Sequence, residues 1–308
     1  MPAMQHGEFF IGVDGGGTGC RARIEDADGN ALGTGIGGPA ALRFGLDRSL
    51  SEVTKACLAA VADAGLDPSV LGRAHAAVGL AGVGRKGLLE KLVMMQHPFA
   101  SVRYVNDATV ACIGAHAGRD GGIVIVGTGS VGFAVVKGRE FRIGGYGFPI
   151  SDEGSGADLG LQAIRQALRA YDNRSFGTTL TRDVMRRFGD DPFEAVAWMD
   201  RATATDYAAL APLVMRHADA GDAAARRIVM EAAEQIGDLI RRLLDWGAQR
   251  IAMLGGLASS IEPWLAPDVQ RRLVPAEGDA IDGALRLARQ IANDSRQHHV
   301  AIETTHVY

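Results

Sequence analysis

GGIVIVGTGSVGFAVVKGREFRIGG, residues 121–145, decides the fold, because it is the second appearance of a pattern the chain has already used. An apolar run ends in the turn GTGS, Val131, Phe133 and Val135 then alternate as in a half-buried strand, and Lys137-Gly138 turns the chain into another strand. The same order appears at FFIGVDGGGTGC, residues 9–20, where an apolar run stops at Asp14 and glycines with a threonine make the turn. Cys20, Ala22 and Ile24 then alternate with Arg21, Arg23 and Glu25, DADG turns the chain again, and a third strand starts through Ala31 and Leu32. One unit built twice predicts two similar lobes facing each other across a cleft, each offering one glycine turn. Clefts of that kind are where small ligands bind.

The stretches between fit layers of helix and sheet. In SLSEVTKACLAAVADA, residues 49–64, Leu50, Val53, Cys57, Leu58 and Val61 recur at helical spacing. AHAAVGLAGVG and VRYVND read as buried strands, with helices expected around 86–96 and 108–117. The fold class is therefore α/β. A chain of 308 residues, 47% hydrophobic and 22% charged, can bury a sizeable core in two domains. Its formal charge of -4 is spread without any run of lysine or arginine, so neither nucleic acid nor a membrane surface is an expected partner. Cys20, Cys57 and Cys112 are far apart and flanked by apolar residues, which suits free buried thiols in a reducing cytoplasm. The N-terminus reads as no signal peptide and no apolar run is long enough for a membrane span, so a cytoplasmic location is expected.

Glycine turns let backbone N–H groups converge on an anion with no Cβ in the way, and the terminal threonine or serine adds a hydroxyl. A carboxylate at Asp14 beside phosphates would repel them unless a divalent cation lay between, and Mg²⁺ held partly through water is the usual solution. A lone GGGT is most simply a hairpin turn. Two copies in matching contexts, one led by aspartate, favour phosphate binding. Neither copy is a P-loop, since G-x-x-x-x-G-K-[ST] does not occur, and the β-hairpin that follows rules out a dinucleotide fingerprint.

GVDGGGT, NDA, GTGS, SDEGSG and LGGLASS, in this order, resemble the BadF/BadG/BcrA/BcrD ATPase family of the actin, sugar kinase and Hsp70 superfamily. Within it the likeness is to the amino-sugar kinases, those for glucosamine and N-acetylglucosamine. It covers nearly the whole chain, including HPFASVRYVNDA, GYGFPISDEGSG and DAIDGAL. The resemblance implies two ribonuclease-H-like, actin-like lobes, ATP and Mg²⁺ as cofactors, and transfer of the γ-phosphate to the 6-hydroxyl of a small amino sugar. It makes Gly15, Gly16, Gly17 and Thr18 the first phosphate segment, with Asp14 near the metal, and Gly127, Thr128 and Gly129 the second. Gly255, Gly256 and Ser259 would approach the adenosine; Asp107 would bind the sugar and act as general base; Ser130, Gly145, Tyr146 and Asp152 would contact the sugar. The lobes would span 2–115 and 116–280, the second with a helical insertion, and 281–308 would return as a helix to the first.

The chemistry fits those residue types. Phosphoryl transfer asks the protein to hold the acceptor hydroxyl in line and to neutralise charge. A carboxylate such as Asp107 orients the hydroxyl and accepts its proton. Asp107 also reads as the N-cap of a helix starting at Ala108, and both roles can hold together. Ser155 with Asp158 reads as a capping-box-like start for a helix from Ala157 to Tyr171. Asp152 and Glu153, just upstream, exceed what a cap needs and suit a ring of hydroxyls.

Other features read as structural. His75, His97 and His116 lack ligand spacing, and His298 and His299 sit in a polar tail. Trp198, Met199 and Leu210, in helices from about 192 to 246, pack a helical subdomain or a homodimer face. EAAEQIGDLIRRLLDW carries an apolar stripe (Ile236, Leu239, Ile240, Leu243, Leu244) that reads as core. Two positions depart from the relatives: Ala41 and Val131 stand where sugar-contacting asparagines are usual, which weakens the case for the N-acetyl group as the recognised feature. Two other functions stand as alternatives. One is an ATPase coupled to a partner protein, like activators of radical dehydratases, which hold an iron-sulfur cluster through cysteines; here the cysteines are not clustered. The other is a non-catalytic sensor, against which Asp14 and Asp107 both stand.

Overall fold

The computed structural model describes residues 7–304, with side chains as far as 294. The chain divides into two compact units, Met1–Arg119 with Ala276–Tyr308, and Asp120–Pro275.

The first unit is built on a five-stranded sheet. Its strands are β1 (Phe9–Gly15), β2 (Cys20–Glu25), β3 (Ala31–Gly37), β4 (Ala74–Leu80) and β5 (Ser101–Asn106) in the order β3-β2-β1-β4-β5. β1, β2 and β3 form an antiparallel meander, and β1, β4 and β5 run parallel. This is the ribonuclease-H-like arrangement expected from the sequence. α1 (Leu46–Asp63), α2 (Leu88–Val93) and α3 (Asp107–Ala115) connect the strands.

Glycine sets the distance between α1 and the sheet. A Cβ at Gly33, Gly35 or Gly37 would lie 2.4 Å from Ala60 O, 2.1 Å from Ala56 O or 2.4 Å from Glu52 O. Alternate strand residues thus meet successive helical turns, since two strand residues rise about 6.7 Å and one helical turn about 5.4 Å. Only a side-chain-free strand face lets the helix backbone lie directly on it.

The second unit carries the repeat. β6 (Gly121–Val126), β7 (Ser130–Val136), β8 (Arg139–Gly144) and β9 (Ile251–Leu254) form a sheet in the order β8-β7-β6-β9, with β6 and β9 parallel. Between β8 and β9 come α4 (Gly156–Tyr171), α5 (Thr179–Arg186), α6 (Pro192–Met199), α7 (Ala204–Ala208), α8 (Ala211–Asp219) and α9 (Ala223–Trp246). Short helices α10 (Ala258–Ile261) and α11 (Pro267–Gln270) follow. The apolar stripe of α9 is core as expected: Ile236, Ile240 and Leu243 are fully buried. Trp198 packs edge-on against Phe188 and Tyr207 at 5.6 and 4.7 Å, and Leu210 is buried, whereas Met199 is exposed.

α12 (Ala280–Thr304) belongs to the first unit, where it covers β1 and packs on α3. Its backbone runs helical through the stretch holding His298 and His299, whose side chains lie outside the described residues. The units divide at 119/120 and 275/276, not at 115/116 and 280/281. The cause is local bonding. His116 N and Gly118 N donate back into α3, and Glu277 N donates to Ala115 O, so both strands of the crossing stay tied to the first unit.

Candidate active site

In the first unit, the carboxyl ends of the parallel strands lie in one row, because Gly15 is in register with Leu80 and Leu80 with Asn106. Asp14 and Asp107 are therefore on one edge, two strands apart, about 10 Å at ordinary strand spacing. Ligands of open α/β sheets bind outside this edge.

The first glycine turn is held by its carbonyls. Gly16 O accepts from Ala40 N and Ala41 N at 3.0 and 3.1 Å, and Gly19 O accepts from Gly16 N at 2.9 Å. The N–H groups of Gly17 and Thr18 have no protein partner among the described residues. Ala41 is buried and spends its N–H on this turn. Arg43 is a residue that the sequence reading missed. Its Nη2 lies 3.1 Å from where a Gly17 Cβ would stand, and its guanidinium lies over the Phe44 ring at 4.9 Å. Asp14 pairs with Arg21 across the β1–β2 register at 2.8 Å.

Asp107 is the first residue of α3, and the cap is Asn106, whose side chain accepts from Ala108 N at 2.9 Å. The expectation that Asp107 caps a helix beginning at Ala108 is thus corrected by one residue. Asp107 Oδ1 also accepts from Ala108 N, which aims the carboxylate along the helix start.

The second turn repeats the logic of the first in the second unit. Gly127 O accepts from Gly156 N at 2.8 Å and Thr128 O from Ala157 N at 3.1 Å, so the start of α4 grips the carbonyls. The N–H groups of Thr128 and Gly129 are left without a protein partner among the described residues. The third segment joins at the same strand end. Leu257 N donates to Val126 O at 3.0 Å, which places Gly255 and Gly256 beside the end of β6, with Ser259 exposed on α10. Donor-rich turns of this kind fit phosphate oxygens. Asp14, which pairs with Arg21 at the end of β1, would suit a Mg²⁺ held mostly by water and phosphate. Among the described residues no group of three or more His, Cys, Asp or Glu could hold a metal ion alone.

The loop from Gly145 to Ser155 builds the other part. Asp152 adopts φ 67°, its Oδ1 accepts from Gly147 N at 3.3 Å, and its Oδ2 lies where a Gly129 Cβ would be 2.4 Å away. Burial pushes its carboxyl up from the usual range, opposed by the N–H groups of Gly147 and Phe148. Ser155 accepts from Asp158 N as a cap, but Asp158 reaches Gly154 N at 3.0 Å, so the expected capping box closes one residue early. Ser130, Tyr146 and Glu153 line one cavity of about 590 Å³ with Gln235, Asp238 and Leu239 of α9. Gly145 and Asp152 stand outside that lining. Ser130 Oγ donates to Glu153 O at 2.7 Å, so toward a ligand it can only accept. Gln235 and Asp238 escaped the sequence reading; a glutamine one turn before Leu239, on the flank of an apolar stripe, was the available signal.

The family model for BadF/BadG/BcrA/BcrD ATPases matches residues 11–288, which include both glycine turns, NDA, SDEGSG and LGGLASS. The chain belongs to the BadF/BadG/BcrA/BcrD ATPase family. A member of known name, glucosamine kinase GspK of Vibrio cholerae, is 39% identical over 91% of this chain and 95% of its own length. The N-acetylmuramic acid/N-acetylglucosamine kinase of Clostridium acetobutylicum is 31% identical over 74% of this chain and 77% of its own. A crystal structure of a candidate N-acetylglucosamine kinase from Chromobacterium violaceum superposes with a TM-score of 0.82 at 36% identity, covering 91% of this chain and 99% of that one. The actin-like ATPase fold of the family is the fold seen here. Among the described residues, no helix is long and apolar enough to cross a membrane.

Proposed function

We propose that this chain is an ATP-dependent amino-sugar kinase, transferring the γ-phosphate of ATP to the 6-hydroxyl of glucosamine or N-acetylglucosamine. The observation that carries the reading is the matched pair of turns: carbonyls tied into the fold, and N–H groups of Gly17, Thr18, Thr128 and Gly129 left for an anion. Arg43, beside Gly17 and over Phe44, adds positive charge where the phosphates would bind. Asp14 would hold Mg²⁺ through water, which when bound neutralises the phosphate oxygens. Gly255, Gly256 and Ser259 would border the adenosine. Asp107 would accept the proton of the sugar hydroxyl, and Asp152 with Ser130, Gly145 and Tyr146 would hold the sugar.

The named relatives at 39% and 31% identity are amino-sugar kinases, which supports the substrate class. Three buried single thiols, Cys20, Cys57 and Cys112, suit a reducing cytoplasm and offer no cluster ligands for the partner-coupled ATPase reading.

The test is ADP release from MgATP with glucosamine, N-acetylglucosamine, glucose or no sugar. Release that depends on an amino sugar is expected, and Asp107→Asn should lower kcat by about 10² to 10⁴ with the KM for ATP nearly unchanged. Sugar-independent release, or full turnover by the Asn variant, would refute the reading.

A further inference from the structure

One flank of α4 is polar and basic: Arg165 and Arg169 stand one turn apart, with Gln162 and Gln166 beside them. With Ser175 of the loop that follows, and Arg227 of α9, this flank lines an open cavity of about 410 Å³. The whole cavity belongs to the second unit. Its arginines are exposed and lack counter-charges. The carboxylate at the end of α4, Asp172, is taken by Arg174 at 2.6 Å. Arg165, Arg169 and Arg227 have no ion-pair partner among the described residues. The one carboxylate of the lining, Glu231, is one turn from Arg227 on α9, but with the cation N-terminal to the anion, the poorer order for such a pair, and the two do not join. Three guanidinium groups against one carboxylate leave an excess of two positive charges in one cavity, on a chain whose formal charge is -4. Like charges held together repel, and an anion placed among them relieves the repulsion.

The charge count says what kind of anion. A carboxylate brings one charge and two oxygens. A phosphomonoester brings about -1.5 to -2 at neutral pH and three terminal oxygens, which matches the excess charge and gives each planar guanidinium fork an oxygen. A phosphate group alone fills a small part of 410 Å³, since a water takes about 30 Å³ of liquid, so the organic part of an ester fits as well. Gln162 Nε2 donates to Asp158 Oδ1 at 3.1 Å, so its amide oxygen remains an acceptor, and Gln166 and Ser175 add an amide and a hydroxyl. Neutral groups of that kind suit the hydroxyls of a sugar. The cavity is not a glycine turn met again. Gly156 N and Ala157 N hold the second turn at the start of α4, and Gln162 to Arg169 lie about 9 to 20 Å further along the helix.

We propose that this cavity is a second anion site, apart from the glycine turns, which binds a sugar phosphate by its phosphate group through Arg165, Arg169 and Arg227. Such a site goes beyond the kinase reading and stands or falls without it. Titration calorimetry on the full chain, saturated with Mg²⁺ and a non-hydrolysable ATP analogue to fill the glycine turns, tests it. The probes are glucosamine 6-phosphate, glucose 6-phosphate, inorganic phosphate, glucose, and chloride at matched ionic strength. The wild type should bind at least one of the two sugar phosphates at a single site that neither glucose nor chloride fills, and more tightly than inorganic phosphate. Arg165→Gln and Arg227→Gln, on different helices, should each weaken that binding about tenfold, the loss of one charged hydrogen bond. Their ligand-free melting temperatures should not fall, because each removes a repelling charge, and their kcat for ADP release should stay within about twofold of wild type. Glu231→Gln removes the opposing charge and should tighten binding about threefold.

Failure of both sugar phosphates to bind the wild type overturns the proposal, as does equal filling by chloride or by inorganic phosphate. Binding that Arg165→Gln and Arg227→Gln leave unchanged puts the anion elsewhere and overturns it too. If those two variants melt at lower temperature, Glu231→Gln decides: tighter binding upholds the site, and unchanged affinity overturns it. None of these results bears on sugar-dependent ADP release, by which the kinase reading is judged.

Discussion

Gly129→Ala separates what the fold tolerates from what the site requires. The added Cβ would stand 2.4 Å from Asp152 Oδ2 and 2.9 Å from its Cγ. Carbon and oxygen rest at about 3.5 Å, so the carboxylate must retreat by about 1 Å. It can do so, because it is the free end of a side chain held only by backbone N–H groups, those of Gly147 at 3.3 Å and of Phe148. Its backbone has less freedom, being in the left-handed region at φ 67°. An off-rotamer aspartate costs about 1 kcal/mol, which lowers the melting temperature by only a few degrees in a domain of this size. A 1 Å displacement of a group that positions the reacting hydroxyl costs about 10² in rate. Coupled ADP release should therefore show kcat/KM for the amino sugar falling about a hundredfold, alongside calorimetry showing a folded protein. A folded variant with kcat/KM within about threefold of wild type would refute the placement of Asp152 in the sugar site.

Further expectations concern charge. Arg43→Ala should raise the KM for ATP about tenfold, more at low ionic strength, with the KM for the sugar little changed; an unaltered ATP KM removes Arg43 from the phosphate site. Asp222 caps α9 through Ala224 N and Ala225 N at 2.9 and 3.0 Å, and also accepts from Leu180 N and Thr179 Oγ1 at 2.8 and 2.7 Å. Burial alone would raise its pKa, but those donors bring the carboxyl down from 3.8 to about 2. A depressed folded pKa means stability present above the unfolded value and lost as pH falls through the folded one, here about 2 kcal/mol between about pH 4 and pH 2. Asp222→Ala should cost about 3 kcal/mol at neutral pH and flatten that acid limb in denaturant titrations; an unchanged acid limb would show that the donors do not hold the charge.

The layers and the glycine turns were legible because their causes are local. Alternation of Cys20, Ala22 and Ile24 against Arg21, Arg23 and Glu25 reports which strand face is buried, and three consecutive glycines after Asp14 report where the chain must turn. The repeat at 121–145 is a comparison of the chain with itself and needs no coordinates. The cap of α3 went astray by one residue because Asn106 and Asp107 are both good caps, and only the backbone turn decides which of them precedes the helix. The unit boundaries moved by a few residues for a similar reason: Glu277 N bonds to Ala115 O, a partner 162 positions away by residue number.

The sequence alone determined the strand-turn-strand units, the α/β layers and the positions of the glycine turns, all set by side-chain period and by backbone freedom within a few residues. Tertiary structure decided what surrounds them. Arg43 comes beside Gly17 through the bonds from Ala40 and Ala41 that fold the next segment onto the turn. Gln235, on a helix that reads as core, lines one cavity with Glu153 and Ser130 because α9 packs against Gly144 and Gly154. Such neighbours are chosen by packing between distant segments, whose energy depends on shape in three dimensions and leaves no period in the chain.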